Sequence, residues 1–142
     1  MDKKVNVLDE LNKGACMGMD AISFVMDKVK DEELKEELKI QYKKYKDISK
    51  KISKLYPEYS DKKPHKTSPM NKVMTYYGIE MRLMSDSSSS HIAELLMQGT
   101  NMGIIEGRKL LNNKDINKDI HKLLKEYIDM QEDAVEILKT FL

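Results

Sequence analysis

The chain has 142 residues, with 25 Lys and Arg against 24 Asp and Glu, so its formal net charge is +1 at pH 7. This balance provides no overall attraction for nucleic acid, and we expect no nucleic-acid partner. A single cysteine excludes an internal disulfide and a multi-cysteine metal site. The absence of tryptophan, together with only two phenylalanines and three prolines, favours an all-α protein.

The first half of the chain predicts two long amphipathic helices. Apolar and small residues recur every three or four positions over residues 5–30 and again over residues 31–56. Asp31 opens the second segment and two glutamates follow it, which suits the positive end of a helix dipole. All three prolines lie within residues 57–69 among lysine, serine and aspartate, and this composition predicts an exposed loop.

The second half predicts a shorter helix and then two more long ones. Ser68 and Pro69 form a typical helix start, and the short helix continues to about Met84. Its apolar stripe consists of Met70, Val73, Met74, Tyr77, Met81 and Met84. A serine-rich run then predicts a turn, after which long helices are expected over residues 90–112 and 115–142.

Four long helices are typical of a four-helix bundle, so we expect an up-down bundle that forms a single domain over residues 1–142. Helical hairpins are expected at about residues 5–56 and 90–142. The connector over residues 57–89, with its short helix, is long enough to cross the bundle. No apolar run reaches the length of a signal peptide or a membrane span, which predicts a cytoplasmic protein without a membrane-spanning segment.

Two segments of the chain resemble each other. Residues 11–19 and residues 96–104 both contain the motif Gly-x-x-Met-Gly within a predicted helix. Each of these helices is followed by a charged turn and a second long helix. This shared context favours a duplication, and it predicts two helical hairpins related by pseudo-twofold symmetry.

The order hairpin, long crossover, hairpin resembles the ferritin-like superfamily. It is most similar to uncharacterised ferritin-like families of spore-forming bacteria, some of them related to spore-coat proteins. The resemblance is carried by residues 11–21 with 31–48 and by residues 91–106 with 123–138. It implies a bacterial protein with a role related to stress or sporulation, and it allows a spore-associated location.

Ferritin-like enzymes of the di-iron class hold their metals with a glutamate from each of two helices and a Glu-x-x-His pair from each of the other two. This chain has three histidines, and the residues three positions before them are Lys62, Ser88 and Lys118. The Glu-x-x-His pair therefore occurs nowhere in the sequence. We accordingly expect no catalytic residues, no bound metal and no cofactor.

Polar side chains take mid-helix positions on stripes that are otherwise apolar. They are Gln41, Tyr45, Glu106, Tyr127 and Gln131. One interpretation is a buried hydrogen-bonded network that sets the register of the helices. The alternative is a metal- or small-ligand-binding pocket centred on Glu106, whose buried carboxylate would need partners or a raised pKa. A third interpretation is that some of these side chains are exposed.

Glycines recur at one-turn spacing in the first and third long helices. They are Gly14, Gly18, Gly99, Gly103 and Gly107. Because glycine inside a helix costs about 1 kcal/mol relative to alanine, close packing is expected to offset that loss. Tyr45 and Tyr127 are the side chains expected to fill the space above the glycines, and room for a ligand is the alternative.

Methionine accounts for 11 of the 142 residues, and the short helix between Met70 and Met84 is rich in it. Its apolar face is expected to bind a protein partner or, if the bundle leaves it uncovered, a second copy of the chain in a homodimer. The sequence therefore favours a non-enzymatic structural or interaction protein that self-associates. The alternative is a metal- or small-ligand-binding ferritin-like protein, which an unfilled polar cavity around Glu106 would distinguish from a scaffold.

Overall fold

The computed structural model describes residues 3–113 and 116–142, and all regular secondary structure in those residues is helical. The helices are α1 (Lys3–Met26), α2 (Glu32–Leu55), α3 (Pro69–Leu83), α4 (Ser89–Leu111) and α5 (Lys118–Leu138). Short 3₁₀ turns follow α2 at Tyr56–Glu58 and α5 at Lys139–Phe141. The all-α prediction is confirmed. The predicted helix start at Asp115 lies outside the described residues, as do Met1, Asp2 and Lys114.

Side-chain caps start two of these helices, as predicted for Ser68. The Asp31 carboxylate accepts hydrogen bonds from the backbone N–H groups of Glu33 at 2.8 Å and Leu34 at 3.2 Å. The Ser68 hydroxyl accepts one from the Asn71 N–H at 3.1 Å, with proline in the first turn behind it. Each cap satisfies donors that have no partner within the helix, which is why α2 and α3 begin where the sequence predicts.

The first helix is shorter than predicted, because it ends at Met26 and not at residue 30. The Lys28 N–H donates to the Val25 carbonyl at 2.9 Å, so the chain leaves the helix through a tighter turn. The turn brings the backbone to the extended conformation that Asp31 adopts as the cap of α2. This five-residue connection makes α1 and α2 antiparallel neighbours.

The four long helices pack as two hairpins, α1 with α2 and α4 with α5. Helix α1 also packs on α4, and α2 packs on α5. In each interface for which specific pairs are known, residue numbers rise on one helix as they fall on the other, so the helices are antiparallel. The pairs are Asn12–Ser49 and Gly18–Tyr45, Tyr45–Gln131 and Lys51–Glu126, and Gly103–Gln131 and Gly107–Ile128.

Helix α3 runs parallel to α1 on its outer side. Three contacts join α3 to α1 and to the turn that follows it: Asp20 with Lys72 at 3.6 Å, the rings of Phe24 and Tyr76 at 5.3 Å, and Lys28, two residues beyond the end of α1, with Glu80 at 2.5 Å. Because all three pairs have the same sequence offset, the two helices share a direction. The connector therefore returns along the bundle, from the end of α2 to the start of α4.

The hydrophobic core lies between the four long helices. Leu8, Leu38, Ile92 and Leu124, one from each long helix, have no exposed surface. Helix α3 adds only two buried residues, which follow its inner side and are Ile79 and Leu83. The connector helix is therefore attached to the bundle and contributes little to its core.

Candidate functional site

Four of the five predicted polar side chains are buried at mid-bundle. Gln41, Tyr45, Tyr127 and Gln131 each expose 5% or less of their surface, as the stripe pattern predicts. The Gln131 amide donates a hydrogen bond to the Tyr45 hydroxyl at 3.3 Å. The rings of Tyr45 and Tyr127 meet edge to face with centroids 6.3 Å apart. We call Tyr45, Tyr127 and Gln131 the polar belt, since these three lie together.

The polar belt continues into α4 through a residue that the sequence analysis did not select. The side chain of Thr100 interacts with the Tyr45 hydroxyl, and the Thr100 hydroxyl donates a hydrogen bond to the Leu96 carbonyl at 2.7 Å. Burial raises the pKa of both tyrosine hydroxyls, so both remain protonated at neutral pH. The belt is thus an uncharged network, and its chemistry is that of a hydrogen-bonded core.

Gln41 does not join this network. Its amide donates to the Glu37 carboxylate at 3.1 Å, one turn earlier on the same helix. The side chain is buried as predicted, but its partner belongs to α2 itself. Gln41 is therefore not brought together with Tyr45, Tyr127 and Gln131 by a hydrogen bond.

Glu106 is exposed, so the alternative that places it at the centre of a buried pocket is wrong, and the interpretation that some of these side chains are exposed holds for this residue. Its side chain is 70% exposed and pairs with Lys109 at 3.5 Å. The inner side of α4 passes through Thr100, Gly103 and Gly107, so at two turns it lies one residue after the predicted positions Gly99 and Glu106. The polar belt consequently contains no carboxylate.

Three glycines provide the space that the polar belt occupies. A Cβ atom on Gly14 would lie 2.4 Å from the Tyr127 hydroxyl, and one on Gly18 would lie 2.6 Å from the Tyr45 ring. On α4, a Cβ atom on Gly103 would lie 2.2 Å from the Gln131 amide nitrogen. Each polar side chain thus lies against a helix backbone. The prediction that Tyr45 and Tyr127 fill this space is confirmed at Gly18 and Gly14, whereas Gln131 fills it at Gly103.

The other two glycines of the predicted row differ in their surroundings. Gly107 is buried, and a Cβ atom there would lie 2.8 Å from Ile128. Gly99 is exposed with no atom within 4 Å, so the prediction that it belongs to the packed row is wrong. Gly18 and Gly103, which correspond in the sequence repeat, both receive a polar side chain from the partner helix of their own hairpin. Gly14 and Gly99, the other corresponding pair, do not match.

Metal-ligating side chains do not converge on the polar belt. Among the described residues, no group of three or more His, Cys, Asp or Glu side chains is arranged to hold a metal ion. Two surface grooves lie elsewhere. One, of about 420 Å³, is lined by Lys44, Lys51 and neighbouring residues. The other, of about 270 Å³, is lined by Arg82, His91 and neighbouring residues. Neither groove is lined by a residue of the polar belt.

A second buried polar cluster, missed by the sequence analysis, fastens the connector to α1. The Asp9 carboxylate, 2% exposed, accepts hydrogen bonds from the Tyr56 hydroxyl at 2.8 Å and the His65 backbone N–H at 3.0 Å. The Asn12 amide donates to the His65 carbonyl at 2.8 Å and accepts from the Ser49 hydroxyl at 2.8 Å. Burial, and then the carboxylate, raises the pKa of Tyr56.

The sequence indicates this cluster only through the positions of two of its residues on α1. Asp9 and Asn12 follow Val5 by four and seven residues, so all three share one side of α1. Their partners lie between 37 and 56 residues away along the chain. No local pattern predicts which distant groups satisfy them. The second oxygen of Asp9, Oδ2, is buried and has no hydrogen-bond partner among the described residues, although the His65 ring nitrogen Nδ1 lies 3.6 Å away.

The predicted apolar stripe of α3 faces solvent. Six side chains on this helix and its C-cap are between 50% and 82% exposed, and we call them the α3 outer face: Met70, Val73, Met74, Tyr77, Met81 and Met84. The opposite side of α3 contacts α1 through its ion pairs, Tyr76 and two aliphatic residues. The bundle therefore leaves the larger apolar side of α3 uncovered.

No protein-family model matches the chain, and neither curated proteins nor solved structures give a match. The helices of the described residues include none with the length and apolar composition needed to cross a bilayer. The fold and the two polar clusters thus define an all-helical protein whose function must be argued from its own residues.

Proposed function

We propose that this protein is a non-enzymatic structural protein that self-associates through the α3 outer face. The observation that carries the proposal is the exposure of six large apolar side chains on one side of a single helix. Exposed apolar patches of this kind are typical of protein interaction sites. The filled state of the polar belt supports a scaffold, since the rings of Tyr45 and Tyr127 take the space that a bound ligand would need.

The spacing of the exposed residues fits a helix as the partner. Successive steps of four and three residues separate Met70, Met74, Tyr77, Met81 and Met84. This is the spacing of a coiled-coil seam, and here it runs for two heptads. A second α3 helix presents the same seam, so two copies can pack their side chains between each other across a twofold axis.

The charge on α3 favours a second copy of the chain over a charged partner. The helix has three charged residues, and each contacts the protein's own bundle: Lys72 with Asp20, Glu80 with Lys28 and Arg82 with Gln98. The α3 outer face itself has no charged side chain. Two copies placed face to face therefore meet no like-charge repulsion, and neither face leaves a charge buried without a partner.

The size of the surface is adequate for a dimer. Six large side chains, each at least half exposed, form a patch on the scale of a few hundred Å² at which exposed apolar surface marks interaction sites. A standard interface takes about 800 Å² from each partner and is rather more than half apolar. Polar residues beside the seam, such as Asn71 and Thr75, are exposed or partly exposed and can form the rim.

We further propose that the bundle is a ferritin-like arrangement without the di-iron centre. The supporting observations are the two antiparallel hairpins and the connector that joins them, which returns along the outer side of α1. The absence of Glu-x-x-His from the sequence favours a structural role within that class. Iron chemistry is not part of the proposal.

The test is the solution mass of the protein and two matched double variants. Met74→Lys with Met81→Lys adds two charges to the centre of the α3 outer face. Met102→Lys with Ile105→Lys adds the same charges to α4, where both side chains are more than half exposed. Sedimentation equilibrium over a concentration series should give the wild type and the α4 variant twice the 16.5 kDa of one chain.

The α3 variant should remain at the mass of one chain with an unchanged circular dichroism spectrum, because the substituted side chains lie outside the core. A wild type that stays at 16.5 kDa throughout the series would refute self-association. A dimer that both variants preserve would show that another surface forms it.

A further inference from the structure

We infer that the α3 outer face of the dissociated chain is a site of reversible methionine oxidation, and that oxidation of Met74 and Met81 prevents the dimer from forming again. The inference rests on the proposed function, because it concerns the regulation of the same surface. The chemical event that controls the surface is oxidation of the methionine sulfurs by a peroxide.

The exposure of its methionines makes this face a target of the oxidant. Four of its six side chains are methionine, and they are 70%, 64%, 72% and 82% exposed at Met70, Met74, Met81 and Met84. Methionines elsewhere, such as Met19, Met26, Met97 and Met130, are partly buried against the core. Because oxidation follows the access of the oxidant to sulfur, the α3 outer face of the dissociated chain should react before those positions. Met102 on α4, which is 66% exposed, should react together with it.

The oxidation step is a two-electron transfer from sulfur to peroxide. The thioether sulfur attacks one peroxide oxygen, the O–O bond breaks and an S–O bond forms. The displaced oxygen leaves as water after taking up the remaining peroxide proton. One hydrogen peroxide is consumed for each sulfoxide formed, and sulfoxide reductases can reverse the change.

The product is poorly suited to the interface. A sulfoxide oxygen accepts hydrogen bonds, yet the opposing seam offers only methionine, valine and one tyrosine hydroxyl. A polar atom buried without a partner disfavours association. We expect the dimer dissociation constant to rise about tenfold or more once Met74 and Met81 are oxidised, since these two positions are central in the seam.

The fold should tolerate the same oxidation. Helix α3 contacts the bundle through its other side, where Ile79 and Leu83 are buried and Lys72 and Glu80 form ion pairs. None of those four side chains contains sulfur. The oxidisable side of α3 is therefore separate from the side that holds the helix in place.

The experiment compares the wild type with a variant whose four α3 outer-face methionines are replaced by leucine. Leucine keeps the apolar surface and cannot be oxidised by peroxide. A second control, Met102→Leu, removes a methionine of similar exposure on α4. Each protein is treated with limiting hydrogen peroxide, the sulfoxides are located by peptide mass spectrometry, and the dissociation constant is measured by sedimentation.

We expect sulfoxide at the α3 positions and at Met102 before the partly buried methionines. The dissociation constant should rise about tenfold or more for the wild type and the Met102 variant, and the leucine variant should keep an unchanged dimer. A wild-type dimer that persists with Met74 and Met81 oxidised would overturn this inference and leave the proposed function intact. A leucine variant that dissociates in peroxide, or a wild type that loses helical circular dichroism as it dissociates, would also overturn it. A wild type that is monomeric before treatment would refute the proposed function and this inference together.

Discussion

Replacing Gly18 by alanine adds one methyl group where α1 approaches the Tyr45 ring. The new Cβ atom would lie 2.6–2.7 Å from three ring atoms, whereas an ordinary contact is at least 3.4 Å. The ring would have to move by about 0.7–0.8 Å, the difference between these distances. Overpacking of this kind costs about 1–3 kcal/mol. The ring has little freedom, because Tyr45 is 4% exposed, accepts a hydrogen bond from Gln131 and packs against Tyr127.

Alanine also favours the helix by up to about 1 kcal/mol, so the expected net loss of stability for Gly18→Ala is about 1 kcal/mol. Gly99→Ala is the matched control, since Gly99 lies in the same glycine motif of the second repeat segment and has no atom within 4 Å. It should gain close to 1 kcal/mol. The two variants should then differ by about 2 kcal/mol, or about 8 °C in melting temperature.

Urea and thermal denaturation followed by circular dichroism measure this difference. The close approach to the ring would be refuted by a Gly18→Ala protein at least as stable as Gly99→Ala. A second test places Gly18→Ala in a Tyr45→Leu background, where the ring is absent. The cost of the alanine should largely disappear there, because the two substitutions share one contact.

Three other changes test the remaining assignments. Burial raises the pKa of Tyr45 and Tyr127 above the value near 10 of an unfolded tyrosine, so unfolding releases protons at alkaline pH. The contribution of these two tyrosines to stability should be constant below about pH 10 and fall above it, by up to about 1.4 kcal/mol per pH unit for each tyrosine. A urea denaturation midpoint that does not change up to about pH 11 would contradict their burial. Tyr56→Phe removes one of two hydrogen bonds to the buried Asp9 carboxylate and should cost about 1.5–3 kcal/mol in urea denaturation; a loss below about 0.5 kcal/mol would mean that the bond contributes little. Glu106→Gln should change stability by less than about 0.5 kcal/mol because the side chain is exposed, and a larger loss would place the carboxylate in a structural role.

The parts of this structure that could be predicted from sequence are those that depend on local spacing. The caps at Asp31 and Ser68 follow from short-range hydrogen-bonding chemistry. The burial of Tyr45 and Tyr127 follows from the helical period, because the stripes of α2 and α5 are otherwise apolar and strongly patterned. In both cases the relevant information lies within a few turns of chain.

The error at Glu106 arose where that contrast is weak. Between Gln98 and Lys109, glycines and polar residues take the inner positions of α4 while Met102 and Ile105 point outward. The inner side is set instead by contacts with α5, because the side chains of Gln131 and Ile128 pack against the backbone of α4. A contact of that type is decided by the partner helix, and the periodicity of α4 alone does not contain it.

The hydrogen bonds that Asp9 and Asn12 make to His65 have a consequence for cutting the chain in two. A break between Lys62 and Lys63, both exposed, would leave one fragment with α1 and α2 and another with the remaining helices. Each fragment would keep a complete hairpin, and the core would form only when the two associate. His65 would belong to the second fragment and its partners to the first, so complementation of the split protein would include the hydrogen bonds that fasten the connector in the intact chain.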